Sequence, residues 1–422
     1  MRNRFWFATS LAVVVALVAV ALAGCAGAPA PTPVAPKTAA STATATQPTP
    51  AAATAIPKTS PSTPAASKEP YKVGAVFAVT GPASSLGIPE RNTVQMLEEQ
   101  VNKEGGIDGH PIQVTICDSQ SGETSAVLCA KKLIEEDKVL AIIGPSQSGE
   151  SLAMADTIEK AQVPLVSAAA SIKIVQPVKK WIFKTPYSDS LLVQALVNHL
   201  KEKKLTRVGW MSVSNAFGDS GKTEFLKEAA AAGITIAAQE TFADQDTDMS
   251  AQLTRIRGAN PDAIAVWGLP PATAVIAKNV AQLGIKQPLF LGAANASLIA
   301  LAGSAANGVV FPAGKVLVAN YLPDNDSQKK VLLQYTKDYS AKFGAATLST
   351  FGGHAWDGFW IVANALKKSG PDRAKLRDAI ENMKGFVGIT GVFSFSPTDH
   401  NGLDKRAVTM VEIKDGKWVP AK

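Results

Sequence analysis

From residue 70 onward the chain alternates short apolar runs with amphipathic helical stretches, and no other feature restricts its fold as much. Strand candidates span residues 72–79, 112–117, 139–144, 164–168, 207–212, 263–268 and 288–292. Several are apolar almost throughout, as parallel strands covered on both faces must be. Helical patterns lie between them at about 89–103, 151–161 and 222–232. The first presents Val94, Leu97 and Val101 on one face and stops at Gly105-Gly106; the last is closed by Gly233. This β-α-β-α order predicts an α/β chain with a doubly wound parallel sheet. The series runs twice. After a strand ending at Thr185 and a helix over 188–203, it restarts with a basic-then-apolar run at 207–212. Two α/β lobes leave a cleft between their strand C-terminal ends, where such sheets bind ligands. Residues 321–370 and 375–384 read as helices that finish one lobe.

The stretch GPSQSGES, residues 144–151, could hold a nucleophile, a phosphate or an ordinary ligand. A nucleophile elbow needs glycines two before and two after its serine. Ser146 has Gly144 before it but Ser148 after it, and Ser148 has Ser146 before it, so the pattern fails. A P-loop starts well at Gly144 and Gly149, but Glu150 stands where lysine must face phosphate. Histidine is scarce: His110, His199, His354 and His400, none at metal-ligand spacing. Of these, His354 in STFGGHAWDGFW is the candidate cleft residue. The acidic run Asp244–Asp248 lacks the glycine and terminal glutamate of a calcium loop and reads as a solvated cap for the following helix. The sequence therefore predicts no catalytic residues, no metal and no cofactor.

Binding fits the same loops. A helix starting near Gly149–Ser151 offers free backbone N–H groups and a partial positive charge, suited to a carboxylate, and Ser148 adds a hydroxyl. The strand at 164–168 ends in Ala168-Ala169-Ala170-Ser171, small residues that let a ligand approach the backbone, and the first strand ends likewise in TGPASSLG.

The N-terminus has a separate character. Arg2 and Arg4 precede an apolar run, residues 5–22, that ends Leu22-Ala23-Gly24-Cys25, the layout of a secretory signal over residues 1–24. Leu-Ala-Gly-Cys resembles the bacterial lipobox, which implies cleavage before Cys25 and a diacylglycerol on it; an uncleaved membrane anchor is the other reading. Residues 26–67 are almost wholly Ala, Pro, Thr and Ser without an aromatic residue. Such a segment, the bulk of a 25–69 linker, buries too little to order itself and acts as a tether reaching about 35–40 Å. The formal charge of +7 is largely local: Arg2, Arg4, Lys37, Lys58 and Lys68, less Glu69, account for +4 of it. The remaining +3 forms no basic stripe, so nucleic-acid binding is unsupported. With Cys25 lipidated, Cys117 and Cys129 remain as an even pair, read either as a disulfide or as two buried thiols.

Several motifs in order carry a resemblance to a known family: VGAVFAVTGPASSLG, EGGIDGHPIQV, AIIGPSQSGESLA, AQVPLVSAAAS, WIFKTPYSD and FADQDTDMSAQLTRIRGANPDAIAVWG. Together they resemble the substrate-binding lipoproteins of branched-chain amino acid (Leu/Ile/Val) ABC transporters. The resemblance implies the type I periplasmic-binding fold, two lobes joined by three crossovers that close on ligand. Lobe 1 would comprise 70–186 plus 314–403, and lobe 2 would comprise 187–313 plus 404–422. It further implies a monomer without enzymatic activity, held at the outer face of a membrane or in the periplasm and partnered by a permease. A ligand-sensing receptor module of the same fold is the alternative.

Carried over residue by residue, the family's carboxylate-binding serine falls on Ser148, its backbone contact on Ala169 and its second hydroxyl on Ser171. The first-loop aromatic falls on Leu86 and a second-lobe tyrosine on Phe217. The opposite pole departs from the pattern. Leu269, beside Trp267, replaces a tyrosine, and Ala294, followed by Asn295, replaces the glutamate that pairs with a ligand ammonium. A buried ammonium without its carboxylate is costly. The departures therefore point to a carboxylate with an apolar or aromatic body, with a branched-chain amino acid as the other candidate.

Overall fold

A computed structural model describes residues 68–422; the signal segment, Cys25 and the tether up to residue 67 lie outside the described residues. The first part of the chain runs β1 (Tyr71–Phe77), α1 (Ser84–Lys103), β2 (Ile112–Asp118), α2 (Glu123–Glu135), β3 (Ile142–Ile143), α3 (Ser148–Ala161), β4 (Leu165–Ser167) and β5 (Ile182–Lys184). These five strands form one sheet in the order β2-β1-β3-β4-β5, parallel at every pairing. Its strands bury both faces. In β1, Val73, Ala75 and Phe77 enter the core that contains Val94 and Leu97 of α1, while Val76 enters the opposite core with Leu133 and Ile158. This two-sided burial is the physical reason the strand reads as an unbroken apolar run.

After α4 (Asp189–Glu202) the alternation resumes: β6 (Arg207–Val213), α5 (Ala216–Ala232), β7 (Thr235–Phe242), α6 (Ser250–Gly258), β8 (Ala263–Trp267), α7 (Ala272–Gln282), β9 (Leu289–Leu291), α8 (Ala296–Ala302) and β10 (Val310–Gly314). The chain then returns to the first sheet with α9 (Lys329–Phe343), α10 (Thr350–Ser369) and α11 (Arg373–Glu381). A small hairpin, β11 (Phe386–Val387) and β12 (Val392–Phe393), precedes β13 (Val408–Lys414) and β14 (Lys417–Pro420), which rejoin the second sheet. That sheet has the order β14-β13-β10-β9-β8-β6-β7. It is not parallel throughout: β13 pairs antiparallel with β10, and β14 with β13. Edge strands added by a returning chain need no crossover helix, so this end of the sheet escapes the parallel rule.

The chain passes between the two sheets three times, and the three passages are bonded to one another. Tyr187 Oη accepts the Gly314 N–H at 2.9 Å, Ser188 Oγ donates to Asn401 Oδ1 at 2.8 Å, and Asn401 Nδ2 donates to the Pro186 carbonyl at 2.9 Å. Lys184, fully buried beneath them, donates to the Pro186 carbonyl and to Ser188 Oγ, and burial lowers its pKa to about 7. Cys117 at the end of β2 and Cys129 inside α2 are joined as a disulfide, with Cα atoms 5.7 Å apart. Among the described residues, no helix is long and apolar enough to cross a membrane.

Candidate functional site

Every parallel strand that points toward the other lobe ends in a loop, and these loops enclose a cavity of about 250 Å³. From the first sheet come Ala83 and Leu86 after β1, the loop 146–150 after β3, and Ala168 to Ala170 after β4. From the second come Phe217 after β6, Asp244 after β7, Leu269 after β8, and Ala293 and Ala294 after β9. Thr350, Phe351 and His354 of α10 complete it. Placement at strand C-terminal ends is where adjacent helices diverge and leave room for a ligand.

Gly144 sets the β3 loop. Its φ is +93°, and a Cβ there would lie 2.1 Å from the Val76 carbonyl oxygen, so the chain can turn against β1 only without a side chain. The two serines that follow have different duties. Ser146 Oγ accepts the Ala78 N–H at 3.0 Å and donates to Glu90, a buried acid whose pKa burial raises well above the usual value. Its hydrogen-bonding capacity is thus used by the lobe itself. Ser148, the first residue of α3 and 4% exposed, accepts the Ser171 N–H at 3.3 Å and keeps its own O–H for the cavity. Beside it the first-turn N–H groups of α3 have no intrahelical partner. Hydroxyl and helix end together present hydrogen-bond donors to the cavity.

Three protein acids share this cavity, and no lysine or arginine is among its lining residues. Glu150 is buried, accepts Ser119 Oγ at 2.6 Å and the Gln147 N–H at 3.1 Å, and has its pKa raised from 4.5 to about 7. Burial is the main cause. The two hydrogen bonds oppose it, and the charges of Glu123 and Asp118 add to it. The Glu123 carboxylate lies against Gly149, where a Cβ would come within 2.2 Å of Oε1. On the other lobe Asp244 is held by Asn215 Nδ2 at 2.8 Å. His354 is neutral, its pKa lowered to about 3 by burial and then by Lys184, and Nδ1 bonds Thr390 Oγ1 at 2.8 Å.

Folded Glu150 keeps its proton up to about pH 7, whereas an unfolded glutamate releases it near 4.5, so folding takes up a proton in that window. Stability therefore falls as pH rises from about 4.5 to 7, by up to about 3 kcal/mol from this group. Asp357, also raised to about 7, contributes in the same direction and outweighs His354, whose lowered pKa makes stability rise with pH up to about 6.5. Urea midpoints measured from pH 4.5 to 8 should decline, and Glu150→Gln should lessen the decline. An equal slope in the variant would remove Glu150 from the account.

Of the nine residues singled out from sequence, Leu86, Ser148, Ala169, Phe217, Leu269 and the cleft candidate His354 line the cavity. Ser171, Trp267 and Asn295 do not. Ser171 is fully buried; its Oγ donates to Ser220 Oγ at 2.8 Å and its N–H positions Ser148. Trp267 is 0% exposed and packs under Phe217, ring centroids 5.5 Å apart, in a slot where Cβ atoms on Gly221 or Gly292 would lie 2.1 and 2.4 Å from its ring. Asn295 instead caps α8, accepting the Ser297 N–H at 2.9 Å. Sequence reasoning missed Glu123, Phe351 and Tyr187, and it placed Asp244 in a solvated loop. Among the described residues, no cluster of His, Cys, Asp and Glu could hold a metal.

The profile of the family described as periplasmic binding protein matches residues 70–417. A leucine-, isoleucine-, valine-, threonine- and alanine-binding protein of Pseudomonas aeruginosa is 24% identical over 340 residues, 79% of this chain and 86% of its own. The crystal structure of an extracellular ligand-binding receptor from Rhodopseudomonas palustris HaA2 superposes with a TM-score of 0.77. It is 30% identical and covers 84% of this chain and 100% of its own. A branched-chain amino acid transporter substrate-binding protein of Streptococcus pneumoniae, solved with isoleucine, is 27% identical with a TM-score of 0.74, covering 83% and 97%.

Proposed function

Because the chain belongs to the periplasmic binding protein family, a family of ligand-binding proteins and not of enzymes, we propose that it is the extracytoplasmic solute-binding component of an ABC importer. It captures a small carboxylate-bearing ligand with an apolar body between its lobes and presents the closed form to a permease. The lipobox at Cys25 and the tether support anchorage to a membrane by lipid. The free hydroxyl of Ser148 at the start of α3 carries the carboxylate reading, and Leu86, Phe217, Leu269 and Phe351 supply the apolar wall.

The same lining favours an amino acid over a simple acid. An anion closed in with Glu123 and Asp244 meets no positively charged side chain, whereas a ligand ammonium would pair with one of those acids. The isoleucine-bound pneumococcal relative supports this reading too. An aromatic or aliphatic acid without nitrogen is the second reading, favoured by Ala294 in the position of the family's ammonium-pairing glutamate and by Phe217 and Phe351 on the wall.

Thermal-shift titration with matched pairs decides between them: leucine against 4-methylpentanoate, and phenylalanine against 3-phenylpropionate. The amino member of a pair should give the larger shift, and Asp244→Asn should shrink that difference. A larger shift from the acid would overturn the amino-acid assignment. No shift from any of the four would remove the carboxylate seat.

A further inference from the structure

The loop that follows β4 is bonded in two directions. The Ser171 N–H donates to Ser148 Oγ at 3.3 Å, and Ser171 Oγ donates to Ser220 Oγ at 2.8 Å. Ser148 and Ser171 stand at strand ends of the first sheet, whereas Ser220 lies in α5, which follows β6 of the second. Each end of the bond is fixed to its own lobe. Ser171 Oγ also accepts the Lys173 N–H at 3.2 Å, which starts a short helical turn over Ile172–Ile174. On the other side α5 is seated closely on its sheet. A Cβ at Gly221 would come within 2.1 Å of Trp267 Nε1, and Phe225 stacks on Trp210 with ring centroids 4.2 Å apart. The other hydrogen bonds between the lobes involve the crossovers or the residue beside them, as in Tyr187–Gly314, Ser188–Asn401 and Asp189–Ile172. Among the described residues, the Ser171–Ser220 bond is the one that joins the lobes elsewhere.

We propose that Ser220 is a positioning residue for ligand retention: its hydroxyl latches the second lobe onto the loop that holds Ser148. The proposal rests on the reading of Ser148 as the partner of the ligand carboxylate. Ser171 is 0% and Ser220 1% exposed, and neither lines the ligand cavity, so the pair acts on the ligand through Ser148 and through closure. When the lobes part, α5 carries Ser220 away and water takes its place on Ser171 Oγ. The latch therefore favours the closed form alone. A bond that forms after the ligand has entered slows escape and leaves entry unchanged, so its contribution falls on koff. Removal of Ser220 Oγ also strands the Ser171 hydroxyl in a buried interface, whereas removal of both hydroxyls leaves neither end unpaired.

Calorimetry and stopped-flow fluorescence on the whole protein test the latch, with whichever of leucine, phenylalanine, 4-methylpentanoate and 3-phenylpropionate gives the largest thermal shift. Ser220→Ala should raise koff about fivefold or more and leave kon unchanged. Ser171→Ala combined with Ser220→Ala should lose less affinity than the product of the two single losses, as the two ends of one bond must. A koff equal to the parent's in Ser220→Ala, or a double variant that loses the full product, would overturn the assignment. If Ser148→Ala still weakens binding in that case, the carboxylate seat stands and the latch alone is removed. If none of the four ligands binds, the seat falls and the latch is decided without ligand. Amide exchange over residues 168–173 should then be faster in Ser220→Ala than in the parent, and equal exchange overturns the assignment.

Discussion

Gly218→Ala is expected to cost about 3 kcal/mol or more, or to prevent the second lobe from folding. A Cβ at this position would stand 1.7 Å from the Val213 carbonyl oxygen and 2.7 Å from its carbon. The obstacle is backbone at the end of β6, which no rotamer change can move. The close approach exists because Asn215 Oδ1 gathers the N–H groups of Phe217 and Gly218, each at 3.0 Å, and starts α5 at once after the strand. That tight start aims Phe217 at the cavity. Where the variant folds, its urea midpoint should drop and its ligand affinity should fall with it. A variant as stable as the parent would mean that α5 begins farther from β6 than described.

Ser148→Ala is expected to weaken ligand binding by about 1–3 kcal/mol, roughly 5- to 150-fold in Kd. The substitution removes the hydroxyl offered to the carboxylate and also leaves the Ser171 N–H without its acceptor. Ser146→Ala is the informative contrast. It breaks the bonds to Ala78 and Glu90, so it should lower stability while changing Kd little. Calorimetric titration of both variants with the tightest member of the matched pairs separates the two serines. Equal losses of affinity would show that the loop acts as a unit and that Ser148 has no special role.

The parts of this molecule that could be read in its sequence are those whose signal is local. The β1 and β6 runs were legible because both faces of each strand are buried and the whole run must be apolar. By contrast β7, with the partly exposed pattern TIAAQETF, and β13, VTMVEIK, sit toward the sheet margin, where polar residues are tolerated. Helix starts were placed late. Pro89 reads as a first-turn residue, yet α1 begins five residues earlier, and α3 begins at Ser148 because Glu150 reaches back to the Gln147 N–H. The site divides in the same way. Ser148 follows from a strand, a turn and a helix start in one short stretch. Asp244 does not, because its place in the cavity depends on Asn215, 29 residues away. Trp267 misled for the opposite reason: an aromatic at a strand end suggests a ligand wall, but Gly221 and Gly292 open a slot that draws it into the core.

In the proposed function, a ligand carboxylate is held at the start of α3 while the second lobe closes over an apolar body. A crystal structure of the protein with the tightest ligand of the four tests this most directly. It should show the carboxylate within hydrogen-bond distance of Ser148 Oγ and the first-turn N–H groups, with the body against Phe217, Leu269 and Phe351. A ligand whose carboxylate lies elsewhere in the cleft, or one bound outside it, would contradict the account.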